Sequence, residues 1–354
     1  GMFALTLFDL KKNCIYFSRD RVGEKPLYIS FNESSILFGS ELISLTQFSS
    51  FNKDLSMSAL SSFFKFNYIP TPQTIYKSTF KCPPGKFICI DLNSFLFNKT
   101  YECFDDIFLD QGALIDDYWS SFPLLNQSEL LVEDFNQASL RLEDIISKSV
   151  KDQLISDMPI GAFLSGGIDS SLITALMQKE NMDKVKTFTI GFEDKRYDES
   201  SYAREVANHL GTNHTELILS QDDVINIIPN LSKIYSEPFA DSSQIPTLLV
   251  SKLAKSEVSV ALSGDGGDEL FGGYNRYFLA PTVWSILKKF PYSIRSFGAD
   301  IFLSSPNFLK SIENTSRFFY KKTPVQLVEK IQSLSSKVKN IKTEKDLFIS
   351  LISG

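Results

Sequence analysis

Metal-binding spacing is missing from this chain. It holds only two histidines (His209, His214) and four cysteines (Cys14, Cys82, Cys89, Cys103) in 354 residues, with no C-x-x-C pair. No zinc pattern can be drawn from so few ligands, and scattered thiols suit a reducing compartment. Apolar stretches are broken by charge or proline short of a bilayer span, which argues against a transmembrane helix. The opening "GMFALTLFDLKKN" has no basic region before its apolar run and meets Asp9 at once, so no secretory signal is expected. A cytoplasmic location is the resulting expectation. Charge of either sign is in short supply as a guide: 36 basic against 42 acidic side chains leave a net −6. That balance gives no electrostatic footprint for nucleic acid or for an anionic membrane.

What is present is an ordinary globular composition, 43% hydrophobic and 22% charged. At this length two domains are expected. The 31 phenylalanines are spread through periodic segments and read as core filling. In residues 1–100, "MFALTLFD", "CIYFSRD", "PLYISF" and "SILFGSE" are short, aromatic-rich strands separated by turns. A helix is expected over "SMSALSSFFKF", and Pro70, Pro72, Pro83 and Pro84 punctuate the stretch beyond it. Cys14 lies inside a strand-like run, as a core residue would; Arg19, Asp20 and Arg21 are expected to pair within a loop. The domain reading is 1–104, a linker at 105–133 with many acids and no firm period, then 134–354.

Beyond the linker the period changes. Phe135, Ala138, Leu142, Ile145, Ile146 and Val150 recur at spacings of three and four, one face of a helix. "PIGAFLS", "KTFTIGF", "HTELILS" and "VSVALSG" then alternate with helical stretches, the pattern of a parallel sheet covered on both faces. The tail from Thr282 is helical in period. His209 and His214, around "NHLGTNH", suit surface or capping roles.

Two strand-end turns mix glycine with acid. In "FLSGGIDSS", Gly166 and Gly167 let the backbone turn tightly and approach a ligand. A helix starting near Asp169 or Ser170 offers free N–H groups and the positive end of its dipole, which hold phosphate. The Lys-Ser/Thr ending of an ATPase P-loop is missing. Asp169 beside phosphates calls for a bridging cation, and Mg²⁺ binds through one or two carboxylates plus phosphate oxygens. "ALSGDGGDELFGGYNRY" repeats the theme with Asp265, Asp268 and Glu269, and Arg276 is a candidate phosphate contact.

On these residues the chain resembles the PP-loop ATP pyrophosphatases, whose SGGxDS fingerprint matches Ser165–Ser170. "LSGDGGDELFGGY" and "KTFTIGFEDKRYDESSYAREVANHLGTNHTEL" resemble glutamine-dependent asparagine synthetases. "GMFALTLFD", "RDRVGEKPLY" and "FGSE" resemble the later part of that family's glutaminase domain. The resemblance implies a partial glutaminase-type β-sandwich (α+β) followed by a doubly wound α/β synthetase domain. It implies ATP cleavage to AMP and pyrophosphate, with a carboxylate activated as an acyl-adenylate for attack by ammonia. Carried over by motif, Ser165, Gly166, Gly167, Ser170 and Ser171 hold pyrophosphate, and Asp169 and Asp268 hold Mg²⁺. Phe163, Leu164, Ile190, Ser263 and Gly264 seat the adenosine. Asp265, where enteric relatives carry Glu, stands with Glu269 and Arg276 as catalytic candidates.

The implied acceptor segment is "SEPFADSSQIP", with Glu237, Asp241, Ser242 and Ser243; equally, its polar groups could cap the next helix. The implied partners are ATP, glutamine or ammonia, and aspartate or another carboxylate such as a sugar acid, and a homodimer is compatible. A tRNA-modifying enzyme of the same fold and a non-catalytic ATP-binding module are the other classes, and the acidic net charge argues against the first. The family's N-terminal cysteine and its downstream lysine do not occur in this sequence, so a fragment without glutaminase activity is the expectation.

Overall fold

The first hairpin is set by one carboxylate. Asp9 Oδ1 accepts the N–H groups of Lys11 and Lys12 at 2.9 and 3.1 Å, and Asn13 takes a left-handed φ of 54°. Strands β1 (Ala4–Asp9) and β2 (Cys14–Arg19) thereby pair antiparallel, Phe8 opposite Ile15. The computed structural model describes residues 1–97, 99–120, 134–196, 198–304 and 339–352. It divides into two compact units, Gly1–Gly264 and Asp265–Gly354.

In the first unit, β3 (Tyr28–Phe31), β4 (Ile36–Gly39), β5 (Thr79–Lys81), β6 (Lys86–Asp91) and β7 (Ala113–Asp117) complete two antiparallel sheets. Their orders are β1-β2-β6-β7 and β4-β3-β5. Alternate residues of each sheet meet in one apolar cluster: Phe17, Ile88 and Ile90 from the first, Ile29, Phe31 and Phe80 from the second. Each such buried side chain contributes about 1.5–3 kcal/mol. Helices α1 (Leu42–Leu45) and α2 (Met57–Phe66) bury Leu42, Leu45 and Ala59 in a neighbouring cluster. Cys14 is a buried core residue, as its strand position suggested.

Residues 105–117 are not linker. A 3₁₀ turn over Phe104–Leu109 buries Phe104 and Ile107, and β7 pairs with β6, Ile115 opposite Ile88. Of the acids that blur the sequence pattern, Asp105 and Asp106 open the 3₁₀ turn, Asp110 accepts the Tyr101 hydroxyl at 2.7 Å, and Asp116 and Asp117 sit at the exposed end of an edge strand, where Asp117 pairs with Lys86. Of the remaining linker positions, 121–133 lie outside the described residues. Arg19, Asp20 and Arg21 do not pair with one another either. The Arg19 guanidinium donates to the carbonyls of Gly23, Lys25 and Cys82, while buried Asp20 accepts the N–H groups of Glu24 and Lys25.

The third sheet is parallel: β8 (Ile160–Phe163), β9 (Lys186–Phe192), β10 (Asn213–Leu219) and β11 (Val260–Leu262), ordered β10-β9-β8-β11. Helices α3 (Phe135–Gln153), α4 (Ile168–Glu180), α5 (Ser200–Leu210), α6 (Gln221–Ile227), α7 (Leu231–Ile234) and α8 (Gln244–Lys255) connect it. Ala162 packs with Val150 of α3 and Met177 of α4, whereas its neighbour Phe163 packs with Ala254 of α8 and with Val258. Successive strand residues point to opposite faces, so helices cover both. The stripe expected on α3 is buried only near its end. Val150 is buried and Ile146 partly so, while Phe135, Leu142 and Ile145 are exposed, because only the last turns reach the sheet.

The second unit is helical among its described residues: α9 (Gly267–Phe271), α10 (Asn275–Leu287), α11 (Tyr292–Ser304) and α12 (Glu344–Ile352). Tyr277 of α10 stacks on Phe348 of α12 at 5.9 Å. Among its described residues the chain is thus mixed α/β, with one parallel and two antiparallel sheets. No helix among the described residues is long and apolar enough to cross a membrane.

Candidate functional site

In the parallel sheet the chain runs from β8 outward to β9 and β10, then returns to the other side of β8 with β11. Ligands of open parallel sheets bind beyond the carboxyl ends of the strands where the order reverses. That point lies between β8 and β11. The residues directly after those strands are Leu164–Gly167 and Ser263–Gly264.

Each position in the first turn has a local cause. The Leu164 N–H donates to Phe188 O at 3.0 Å, and its carbonyl accepts from the Thr189 hydroxyl, pinning the strand end to β9. Gly166 takes φ +81°, and a Cβ there would stand 2.6 Å from the Ala203 nitrogen and 2.7 Å from the Tyr202 carbonyl carbon. Only glycine lets this turn rest against α5. Gly167, by contrast, has ordinary φ of −71°, and a Cβ would meet only Ser165 Oγ at 3.4 Å.

Ser165 and Ser170 close the loop. Their hydroxyls lie 3.0 Å apart, the Ser165 N–H donates to Ser170 Oγ, and the Gly167 N–H donates to Ser165 Oγ. Helix α4 begins at Ile168 with no side-chain cap on its N-terminus, and Asp169 lies in its first turn. The Asp169 carboxylate is partly exposed and has no hydrogen-bond or ion-pair partner among the described residues. The second turn packs directly on the first. A Cβ on Gly264 would stand 2.7 Å from the Ser170 nitrogen and 2.8 Å from Asp169 Cβ. Glycine at 264 is what permits β11 to end against the start of α4.

The other expected positions divide. Phe163 and Leu164 are strand-end core, and Ile190 sits within β9 opposite Leu217. Ser171 lines a groove between α4 and α5 with Leu172, Ala175, Val206 and His209, and its buried hydroxyl has no partner there. Asp241 Oδ1 accepts the Ser243 N–H at 2.7 Å and the Ser243 hydroxyl, which holds its carboxyl below the usual range. Ser242 is exposed. The Glu237 carboxylate has a partner on each oxygen: Oε1 accepts the Ile75 N–H at 2.9 Å and Oε2 pairs with Lys81 at 2.6 Å. Glu237 therefore stands between Ile75 and Lys81. His209 is exposed in the last turn of α5, but His214 lies in β10 with Nδ1 2.9 Å from Thr187 Oγ1. Burial pushes its pKa down.

Within the second unit, Gly272 ends α9 in the left-handed conformation, and the Asp268 carboxylate rests where a side chain at Gly273 would stand. Glu269 accepts the Tyr274 hydroxyl at 2.7 Å, a bond that together with desolvation pushes the tyrosine up to about 12. The Arg276 guanidinium lies over the Tyr274 ring at 4.4 Å. Asp265 is exposed. Thr189, Tyr202 and Ala203 hold the first turn yet carry no sequence signal. A buried threonine in a strand and a helix backbone behind a glycine become legible only once the sheet closes.

The asparagine synthase family model matches residues 141–346, and a glutamine amidotransferase domain model matches residues 1–102. The chain belongs to the asparagine synthase family. Among its relatives, a Methanocaldococcus jannaschii member is 33% identical over 90% of this chain and 60% of its own. Asparagine synthetase (glutamine-hydrolyzing) 1 of Bacillus subtilis is 34% identical over 78% of this chain and 40% of its own. Asparagine synthetase B of Escherichia coli is 29% identical, covering 80% and 45%. The chain therefore spans about half the length of these curated relatives. A solved NH3-dependent NAD synthetase from Campylobacter jejuni aligns over 60% of this chain and 99% of its own, at 13% identity. Its TM-score of 0.28 is too low to bear on the site.

Proposed function

We propose that this asparagine synthase family chain carries the ATP site of an amide-forming ligase. The whole protein converts aspartate, ATP and glutamine or ammonia to asparagine, AMP and pyrophosphate through an acyl-adenylate. One observation supports it above the others: Gly264 packs on Asp169 and Ser170 at the sheet's switch point, in front of an uncapped helix N-terminus.

In this reading the first-turn N–H groups of α4 and the Ser165 and Ser170 hydroxyls bind the pyrophosphate portion of ATP. The positive end of the helix dipole favours the charge that builds on it as it departs. Phe163, Leu164, Ile190, Ser263 and Gly264 seat the adenosine. Glycines at 166 and 264 keep both loops close enough to exclude water from the reacting phosphate.

No three His, Cys, Asp or Glu side chains gather as a metal cage among the described residues. A Mg²⁺ held mainly by phosphate oxygens needs only one or two carboxylates, and the unpartnered Asp169 suits that role. The resemblance assigns Asp268 as the second ligand, and Asp265, Glu269 and Arg276 as catalytic candidates. When bound, Mg²⁺ supplies charge neutralisation to the phosphates. Residues 1–117 serve as part of a glutaminase-type sandwich.

The test supplies the full-length protein with ATP, Mg²⁺, ammonia or glutamine and a panel of carboxylates. AMP and asparagine are expected with aspartate. Release of ADP in place of AMP would overturn the reading.

A further inference from the structure

The segment 236–240 has a task that the acceptor reading does not contain. It closes backbone groups that the first half of the unit leaves open. Helix α1 has no side-chain cap, and its Ile43 N–H donates to Ser236 Oγ at 3.3 Å. Asn67, the left-handed C-cap of α2, offers its carbonyl to the Ala240 N–H at 2.8 Å. Between these two, Glu237 joins the Ile75 N–H to the Lys81 ammonium, which also donates to Ile69 O at 2.7 Å. The two charged side chains are only 15% and 11% exposed. Tyr28 nearby is pushed up to about 12, by burial first and then by the Glu237 carboxylate.

A buried ion pair is weak evidence for stability, because desolvation offsets its attraction. Its best-attested use is to hold a register. Here the register held is that of a loop leading straight into α8, whose Ala254 packs on Phe188 of β9 next to the strand-end turns. Asp241, Ser242 and Ser243 lie between the clamp and that helix.

We propose that Glu237, clamped by Lys81, is a positioning residue. It holds the 241–243 loop in its acceptor-binding arrangement, so that seating of the carboxylate depends on the amidotransferase-like half. The proposal rests on the ligase reading above.

The experiment uses the full-length protein and three variants: Lys81→Met, Glu237→Gln and the double variant. Three readouts are taken: acceptor KM, ATP KM, and glutamate released per asparagine formed. Each single variant is expected to raise the aspartate KM about tenfold with ATP KM unchanged, and to release glutamate in excess of product. Hydrogen exchange at the Ile75 and Ala240 amides should quicken in parallel. The double variant leaves no buried charge unpaired, so its melting temperature should recover while acceptor KM and coupling stay impaired. A merely structural pair would restore both together. Normal acceptor KM and coupling in the double variant, with AMP still made, would overturn this proposal alone. Failure of the unsubstituted protein to make AMP from any carboxylate would overturn the ligase reading and this one with it.

Discussion

Replacing Gly166 by alanine, with Gly167→Ala as its partner experiment, separates two glycines that a motif treats alike. At Gly166 the methyl group meets backbone atoms at 2.6 and 2.7 Å and the residue must keep φ +81°. A left-handed conformation costs a non-glycine residue about 1–2 kcal/mol, and overpacking against backbone that cannot swing aside adds about 1–3. Taken together the loss is about 2–5 kcal/mol. In a domain of this size each kcal/mol lowers the melting temperature by about 2–4 °C, so a fall of roughly 4–20 °C is expected. At Gly167 φ is ordinary and the nearest atom is a hydroxyl oxygen at 3.4 Å. Only the modest preference of a helix N-cap for glycine over alanine is lost, within about 1 kcal/mol. Differential scanning calorimetry gives the melting temperatures, and titration calorimetry with ATP and Mg²⁺ gives binding. Gly166→Ala should lose both stability and ATP affinity, Gly167→Ala neither to a comparable degree. Equal losses in the two variants, or an unshifted melting temperature in Gly166→Ala, would refute the argument that α5 backs this turn.

The same geometry sets three further outcomes. Gly264→Ala places a methyl 2.7 Å from the Ser170 nitrogen, and should weaken ATP binding about tenfold or more, readable by titration calorimetry. Thr189→Val keeps the side-chain shape but strips the Leu164 carbonyl of its donor; a loss of about 1–3 kcal/mol in urea unfolding is expected, with faster exchange at the start of the loop. Burial raises the Asp20 carboxyl, but N–H donors from Lys25, Glu24 and Gly23 outweigh it, and the net shift is downward. A lowered folded pKa adds stability that is complete above the unfolded value of about 4 and is lost as pH falls through the folded one. Asp20→Asn should therefore flatten the acid limb of a stability profile below about pH 4 while also lowering the neutral plateau; an unchanged acid limb would refute the assignment.

The strands of both halves and the two glycine turns could be read from the sequence because their signals are local. β9 covers Lys186–Phe192, the whole of "KTFTIGF", and α2 fills most of "SMSALSSFFKF". An apolar run bounded by turn residues has few alternatives. β7 escaped because its five residues "ALIDD" carry two acids and gain a partner, β6, only in the tertiary fold. β5 has three residues, too few for any period.

For the site, the sequence alone determined which residues gather after β8: glycines where the backbone must turn, serines that bond back to it, and an aspartate at the start of a helix. Tertiary structure decided which of those glycines is indispensable, since crowding at Gly166 and Gly264 comes from α5 and α4 rather than from the turn itself. It also set Glu237 between Ile75 and Lys81. The Ile75 N–H that engages its carboxylate stands 162 positions away, and an ion pair chosen by burial and proximity leaves no trace in spacing. Local pattern carries conformational preference. Which charges meet, and which cavity a glycine must leave open, is decided only when distant segments exclude water from the same place.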